Sequence, residues 1–284
     1  MYMNYKYFIG GNDNNEGSNL TIIIFVFIVL LCLIGIIVYF FLNSNTNSNK
    51  FVEKYGILVA PILSQSLIWL DAKDITTLFN NQTTNSANQI TGNGQSLQLW
   101  KNKGTFASNI IWSNGITYNT STPNNGEYPS LRLNSRSTTT INVTVTSIFY
   151  VVSYTGGSVY STYSFPGLLG NGGYDNYLFG HTNNTNIHSQ LIYGHKIYIN
   201  GNDTRTVPDI NKLAIIEVFS TSPTNLVNAM IGSGDSGLQW DGYVCEIIMF
   251  NTVLTVEQRQ IIEGYLANKW GLLSSLPANH PYKK

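Results

Sequence analysis

A chain of 284 residues with a formal net charge of zero and only 11% charged side chains has no electrostatic footprint for nucleic acid, so no such partner is expected. Hydrophobic residues make up 43% and aromatics 13%, enough apolar material for one sizeable core. The two cysteines, Cys32 and Cys245, fall in an apolar segment and in a predicted strand far from it, which argues against an intramolecular disulfide.

In chain order, residues 1–19 come first. Within them Gly10 to Ser18 (GGNDNNEGS) has almost nothing to bury and is expected to be disordered. Leu20 to Leu42 follows, 23 residues with no charge, Asn, Gln or Pro. At 1.5 Å of rise per residue, about 20 residues cross a hydrocarbon core of about 30 Å. The stretch exceeds the roughly 7–15 apolar residues of a signal peptide and lacks a basic start and a small-residue cleavage site. It is therefore expected to be a retained transmembrane helix with the lipid bilayer as its partner. Residues 43–56 open with NSNTNSN, a polar, flexible tether. Two signals for orientation conflict. Lys50 and Lys54 outnumber Lys6, which favours a cytosolic C-terminal side. Five N-x-[ST] sequons, at Asn81, Asn119, Asn142, Asn183 and Asn202, are glycosylation candidates and favour a domain outside the cytosol. The second placement is the one expected here.

From residue 57 to 284 the texture is short apolar or alternating runs punctuated by Asn, Gly, Ser and Thr. Strands are predicted at Ser66–Leu70, Thr146–Tyr154, Lys196–Asn200, Leu213–Phe219 and Tyr243–Phe250, where Ile, Val, Tyr and Phe concentrate. Weaker strand signals lie at Leu97–Lys101, Ile116–Asn119, Leu131–Leu133, Tyr177–Gly180 and Gln190–Tyr193. Turns are predicted at Gly92-Asn-Gly94, Asn114-Gly115, Asn125-Gly126, Asn171-Gly-Gly173 and Asn200-Gly201, because Asn and Gly supply the positive φ that tight turns require. Ser233 to Trp240 (SGDSGLQW) nearly matches an Asp-box and is read as a hairpin turn before Tyr243–Phe250. One helix is expected near the end: Thr255 and Gln258 form a capping box, Ile261, Ile262, Tyr265 and Leu266 share a face, and Gly271 suits the C′ position. The sum is a mostly β, two-sheet antiparallel sandwich sealed by a C-terminal helix.

The ends of this domain carry the most specific pattern. Leu67-Ile-Trp-Leu-Asp-Ala-Lys-Asp74 and Leu99-Trp-Lys-Asn-Lys-Gly104 stand near its start. Asp241-Gly-Tyr-Val-Cys-Glu-Ile-Ile-Met-Phe-Asn251 precedes the helix, and the chain closes on GYLAxKWGLxxxLPxxHPY from Gly264 to Tyr282. This arrangement resembles the concanavalin A-like lectin/glucanase superfamily, specifically its laminin-G-like domains, over Ser66–Tyr282. The resemblance implies a jelly roll used for glycan, peptide or matrix binding. Fold alone assigns no ligand.

Glucanases of that superfamily place a Glu-x-Asp-x-Glu triplet on one strand face, where the carboxylates can work as nucleophile and acid/base. The triplet is missing here. Asp241 and Glu246 lie five apart, on opposite faces of a regular strand, and a buried Glu246 would have a raised pKa. Asp71 and Asp74 are a candidate Ca²⁺ pair, against turn capping as the plainer role. His181, His188 and His195 lie close in sequence without zinc-site spacing, so no metal or other cofactor is expected. His280 reads as a hydrogen-bonding anchor. Trp69, Trp270, Tyr265 and Tyr282 read as closure packing. For a ligand, the loop Asn171–His188 offers Tyr174 and Tyr177 for stacking and Asp175, Asn176 and His181 for hydroxyl groups. Three functions remain open: a membrane-anchored non-catalytic binding module for glycans or proteins, a structural component of a membrane or virion, and a glycoside hydrolase.

Overall fold

A computed structural model describes residues 56–154, 166–172, 176–180, 186–189, 195–209, 211–234 and 238–283. Residues 55–284 form a compact unit distinct from residues 1–54. The predicted span Leu20–Leu42, and most of the tether, lie outside the described residues. Among the described residues no helix is long and apolar enough to cross a membrane.

The first described element is a helix over residues 56–63, α1, where the tether was expected to give way to strands. Val59, Ile62 and Leu63 at positions i, i+3 and i+4 are buried in the core, which is the helical period in miniature. Eight residues are too few for that period to stand out in the sequence.

Strands dominate the rest: β1 (Ile68–Asp71), β2 (Leu78–Phe79), β3 (Ser96–Trp100), β4 (Ile110–Asn119), β5 (Ser130–Leu133), β6 (Thr144–Tyr154), β7 (Gly167–Gly170), β8 (Asn176–Gly180), β9 (Ile187–His188), β10 (Lys196–Ile199), β11 (Asn202–Asp203), β12 (Ala214–Asn225), β13 (Met230–Ile231) and β14 (Gly242–Phe250). All ladders between them are antiparallel. Ten strands make a large sheet in the order β11-β10-β12-β6-β14-β5-β4-β3-β2, with β1 also paired to β14. The order β13-β7-β8-β9 makes a second, four-stranded sheet.

Register assigns the faces of the large sheet. One row runs Tyr198, Glu217, Phe149, Ile248, Trp69 across five strands. The next row, Ile199, Ile216, Tyr150, Ile247, Leu70, points the other way because side chains alternate. That second row is buried throughout, and Tyr150 Oη donates to the Leu168 carbonyl of β7, so the small sheet covers it. Burial pushes the Tyr150 phenol far above its ordinary range. The first row is covered by α2 (Val256–Lys269). The central strands are therefore buried on both faces, which explains why β6 and β14 read as continuous apolar runs rather than alternating ones.

Three local features depart from expectation. Asn114-Gly115 is no turn: it lies inside β4, where the β3 partners jump from Leu97 opposite Ile116 to Leu99 opposite Ile111. Gly115 at φ +70° takes up that bulge. β12 continues past Phe219 to Asn225 across another irregularity that contains Pro223, a residue excluded from regular ladders. The segment Ser233–Trp240 is not a hairpin turn, because β13 and β14 on its two sides belong to different sheets. Residues 235–237 lie outside the described residues, and the end of the segment is tied down by Trp240 Nε1 donating to the Ser153 carbonyl. The Gln190–Tyr193 strand signal lies outside the described residues.

The terminal helix forms as its sequence dictates. Thr255 Oγ1 accepts from Gln258 N at 3.1 Å and Gln258 Oε1 accepts from Thr255 N at 2.9 Å. Gly271 at φ +69° closes the other end. There Leu272 N bonds the Ala267 carbonyl and Gly271 N the Asn268 carbonyl, a Schellman motif. Thr255→Ala should cost about 1 kcal/mol and lower the thermal midpoint by about 2–4 °C for a domain of this size, as read by a circular-dichroism melt.

Candidate functional site

Among the described residues two kinds of polar site stand out: charged clusters sealed beneath α2, and an open cleft beside its C-terminus.

The first sealed cluster centres on Glu246. Its Oε1 accepts from Trp69 Nε1 at 2.8 Å and Tyr265 Oη at 3.2 Å, and its Oε2 accepts from Trp270 Nε1 at 2.6 Å. Lys269 Nζ sits 2.8 Å from both Glu246 Oε2 and Asp71 Oδ2. Burial pushes the Glu246 carboxyl up, and Lys269 offsets this only in part. An acid fully surrounded by protein donors is a strut rather than an acid/base, since nothing outside can reach it. Trp69, Trp270 and Tyr265 are thus closure residues, as expected. The opposite-face expectation for Asp241 and Glu246 does not hold. The extra residue Cys245 shifts the β14 register between Val244 and Glu246, so Tyr243 and Glu246 share a face. Asp241 lies just before the strand and pairs with Arg132. Cys245 is a free, buried thiol that burial pushes above its usual range.

Asp71 and Asp74 do not form a cation site. Lys103 Nζ lies 3.3 Å from Asp71 and 2.8 Å from Asp74, and Lys269 takes the rest of Asp71. Asp71 Oδ1 also accepts from Lys73 N, and Asp74 Oδ1 from Thr76 Oγ1, the local capping role. Lys103 serves both carboxylates, and Lys269 is shared between Asp71 and Glu246. Among the described residues no group of three or more His, Cys, Asp or Glu could hold a metal.

The second sealed cluster joins Glu217 on β12, Arg259 and Glu263 on α2, and His280. Arg259 bonds Glu263 Oε1 and lies 3.6 Å from Glu217 Oε2. His280 Nε2 meets Glu263 Oε2 at 2.9 Å, the anchoring role foreseen for it.

The cleft has a volume of about 910 Å³. One wall is the β10–β11 hairpin, whose turn has φ +51° at Asn200 and +75° at Gly201, the turn that Asn-Gly favours. Asn200 Oδ1 accepts from Ile215 N at 2.8 Å and pins the hairpin to β12. A second wall is the loop before β12, folded by Asp209, which accepts from Asn211 N and pairs with Lys212. Asn125 ties the loop after β4 to it, donating to the Asn211 carbonyl and accepting from Leu213 N. The far side is the α2 terminus with Ser274 and Ser275. Tyr128 lies between them, its ring edge-on to Trp270 at 6.2 Å. Its hydroxyl lies directly over Gly271, where an added Cβ would come within 2.1 Å of Oη. The helix-capping glycine is therefore also the space that seats Tyr128. The lining mixes amides (Asn124, Asn202), hydroxyls (Ser274, Ser275), lysine-paired acids (Asp203, Asp209) and this one half-buried phenol ring.

Neither Asn176 nor Tyr177 of the sequence-predicted binding loop lines this cleft. Tyr174, Asp175 and His181 lie outside the described residues. Asn176 opens β8 opposite Gly170. Tyr177 is buried, its hydroxyl accepting from Val227 N at 2.9 Å and donating to the Val227 carbonyl at 3.3 Å. A ring so placed packs the core. Of the sequons, Asn81, Asn142 and Asn202 are exposed and Asn119 is half-buried at the end of β4, while Asn183 lies outside the described residues. Asn142 Oδ1 accepts from Asn228 N, and Asn202 lines the cleft. Tyr128, Asn124 and Ser274 were missed because they meet only in three dimensions, from segments more than 140 residues apart in sequence. The Asn-Gly turns and the C′ glycine that frame the cleft were the signals available.

No protein-family model matches this chain, and no curated protein matches it.

Proposed function

We propose that this chain is a non-catalytic binding module of the concanavalin A-like, jelly-roll class, held at a membrane by Leu20–Leu42 with its domain outside the cytosol, and that its ligand is carbohydrate. The observation that carries this reading is the cleft around Tyr128. Sugars present C–H faces to aromatic rings and hydroxyls to amides and carboxylates, and ligand sites combine a largely preformed hollow with a few placed polar groups. The cleft has that composition. The strongly shifted carboxyls, by contrast, are enclosed as struts, which favours binding over hydrolysis.

A glycan array probed with the full chain in detergent micelles tests it. Saccharide-competable signal is expected, and Tyr128→Ala should weaken it about tenfold, the loss of a contact worth about 1.4 kcal/mol. Silence across the array, with protein partners still retained, would replace this reading with a structural role in a membrane or virion.

A further inference from the structure

The β10–β11 hairpin rests on the second sealed cluster. A Cβ on Gly201 would lie 3.2 Å from Pro277, 3.4 Å from His280 Cδ2 and 3.5 Å from Glu263 Oε2. Tyr198 of β10 pairs across the ladder with Glu217, and the Arg259 guanidinium stacks on the Tyr198 ring at 4.0 Å. So the wall of the cleft and the acid cluster are one packed body.

The cluster is short of positive charge. Glu217 and Glu263 are both fully buried. Neither oxygen of Glu217 accepts from a donor within ordinary hydrogen-bond distance, Arg259 standing 3.6 Å from Oε2, although both are shielded from solvent. His280 Nδ1 accepts from Tyr282 N, so Nε2 is the nitrogen that donates to Glu263. Phe149, the β6 neighbour of Glu217, contributes no charge. Among the described ion pairs, Arg259 is the one guanidinium that faces both carboxyl groups.

We infer that Glu217 and Glu263 share a proton, and that this proton latches the β10–β11 hairpin against α2 and the C-terminal segment, making the cleft wall pH-sensitive. A proton on Glu217 leaves one carboxylate for one guanidinium. Burial first, and the Glu263 charge second, hold the Glu217 carboxyl well above its usual 4.5, against the partial pull of Arg259. Opening the hairpin to water returns Glu217 to its ordinary range. The latched form therefore binds the proton more tightly than the open form. Its advantage is complete at pH below that ordinary range and is lost progressively as pH rises towards the raised value. The inference is independent of what the cleft binds.

Hydrogen exchange on the full chain in micelles tests it without any ligand. Amides of Lys196–Asp203 are followed at a series of pH values from about pH 4 to about pH 9, with intrinsic exchange rates divided out. Wild type should lose at least about tenfold protection in the hairpin across that range, the β14 amides serving as reference. Glu217→Gln, which supplies a permanent neutral donor to Glu263, should abolish most of the loss. Equal pH dependence in both proteins, or none in wild type, overturns the latch. If the Glu217→Gln variant fails to fold, infrared spectra of wild type and of Glu246→Gln decide. A buried protonated-carboxyl stretch that Glu246→Gln retains at low pH, and that fades as pH rises, supports the proposal; its absence from Glu246→Gln at every pH tested, or its persistence at every pH tested, refutes it.

Discussion

Lys269→Met is expected to destabilise the domain by about 3–5 kcal/mol, the usual cost of stranding a buried partner of an ion pair. Lys269 is the only cation within bonding distance of Glu246 among the described ion pairs, and it also serves Asp71. Burial works against its charge, yet the carboxylates of Glu246 and Asp71 and the Tyr265 hydroxyl raise its pKa well above the ordinary lysine value. Without the ammonium, Glu246 keeps the two indole N–H donors and the Tyr265 hydroxyl but faces Asp71 unscreened. Both strand β1 and helix α2 are held through this point, so the damage spreads to the closure of the large sheet. Urea unfolding followed by tryptophan fluorescence measures it, with Trp69 and Trp270 reporting directly on Glu246. Glu246→Gln combined with Lys269→Met should recover part of the loss, because a neutral amide no longer needs the cation. A double variant as unstable as Lys269→Met alone would show that packing of the lysine stem, rather than charge, is what matters.

Gly264→Ala pits two effects against each other. A glycine inside a helix costs about 1 kcal/mol relative to alanine, so the substitution should help α2. However, an added Cβ would lie 2.4 Å from Tyr282 Cβ and 2.8 Å from Cγ, too close for either chain to stay in place. The Tyr282 contact is with the root of the side chain, which cannot swing aside without moving the backbone. Displacing that segment also pulls His280 from Glu263. Overpacking of this kind costs about 1–3 kcal/mol, and with the hydrogen bond strained as well the net result is expected to be a loss of about 2 kcal/mol in the same urea assay. In a Tyr282→Gly background the sign should reverse to a gain of about 1 kcal/mol. A loss that persisted in that background would place the conflict elsewhere.

Both results concern the terminal motif that was the most specific pattern in the sequence. Its residues turn out to be one closure device: Gly264 admits Tyr282, Lys269 and Trp270 hold Glu246, Gly271 caps α2 and seats Tyr128, and His280 anchors Glu263. The candidate cleft borders this device but is not encoded by it.

By itself, the sequence determined the mostly β antiparallel domain, its principal strands and the terminal helix with both caps. These follow from local periodicity, β-branched content and capping chemistry, which act over a few residues and survive any tertiary context that buries the same side. Tertiary structure alone decided the rest. The short α1, the bulges at Gly115, Cys245 and Pro223, and the change of sheet between β13 and β14 depend on which strand lies opposite. So does the setting of the described residues: Tyr177 is core, Asp71 and Asp74 are lysine partners, and Tyr128 lines a cleft. Pairing partners and burial are long-range quantities, so two residues of the same type and local pattern can end as strut or as surface. That choice is made only when distant segments pack.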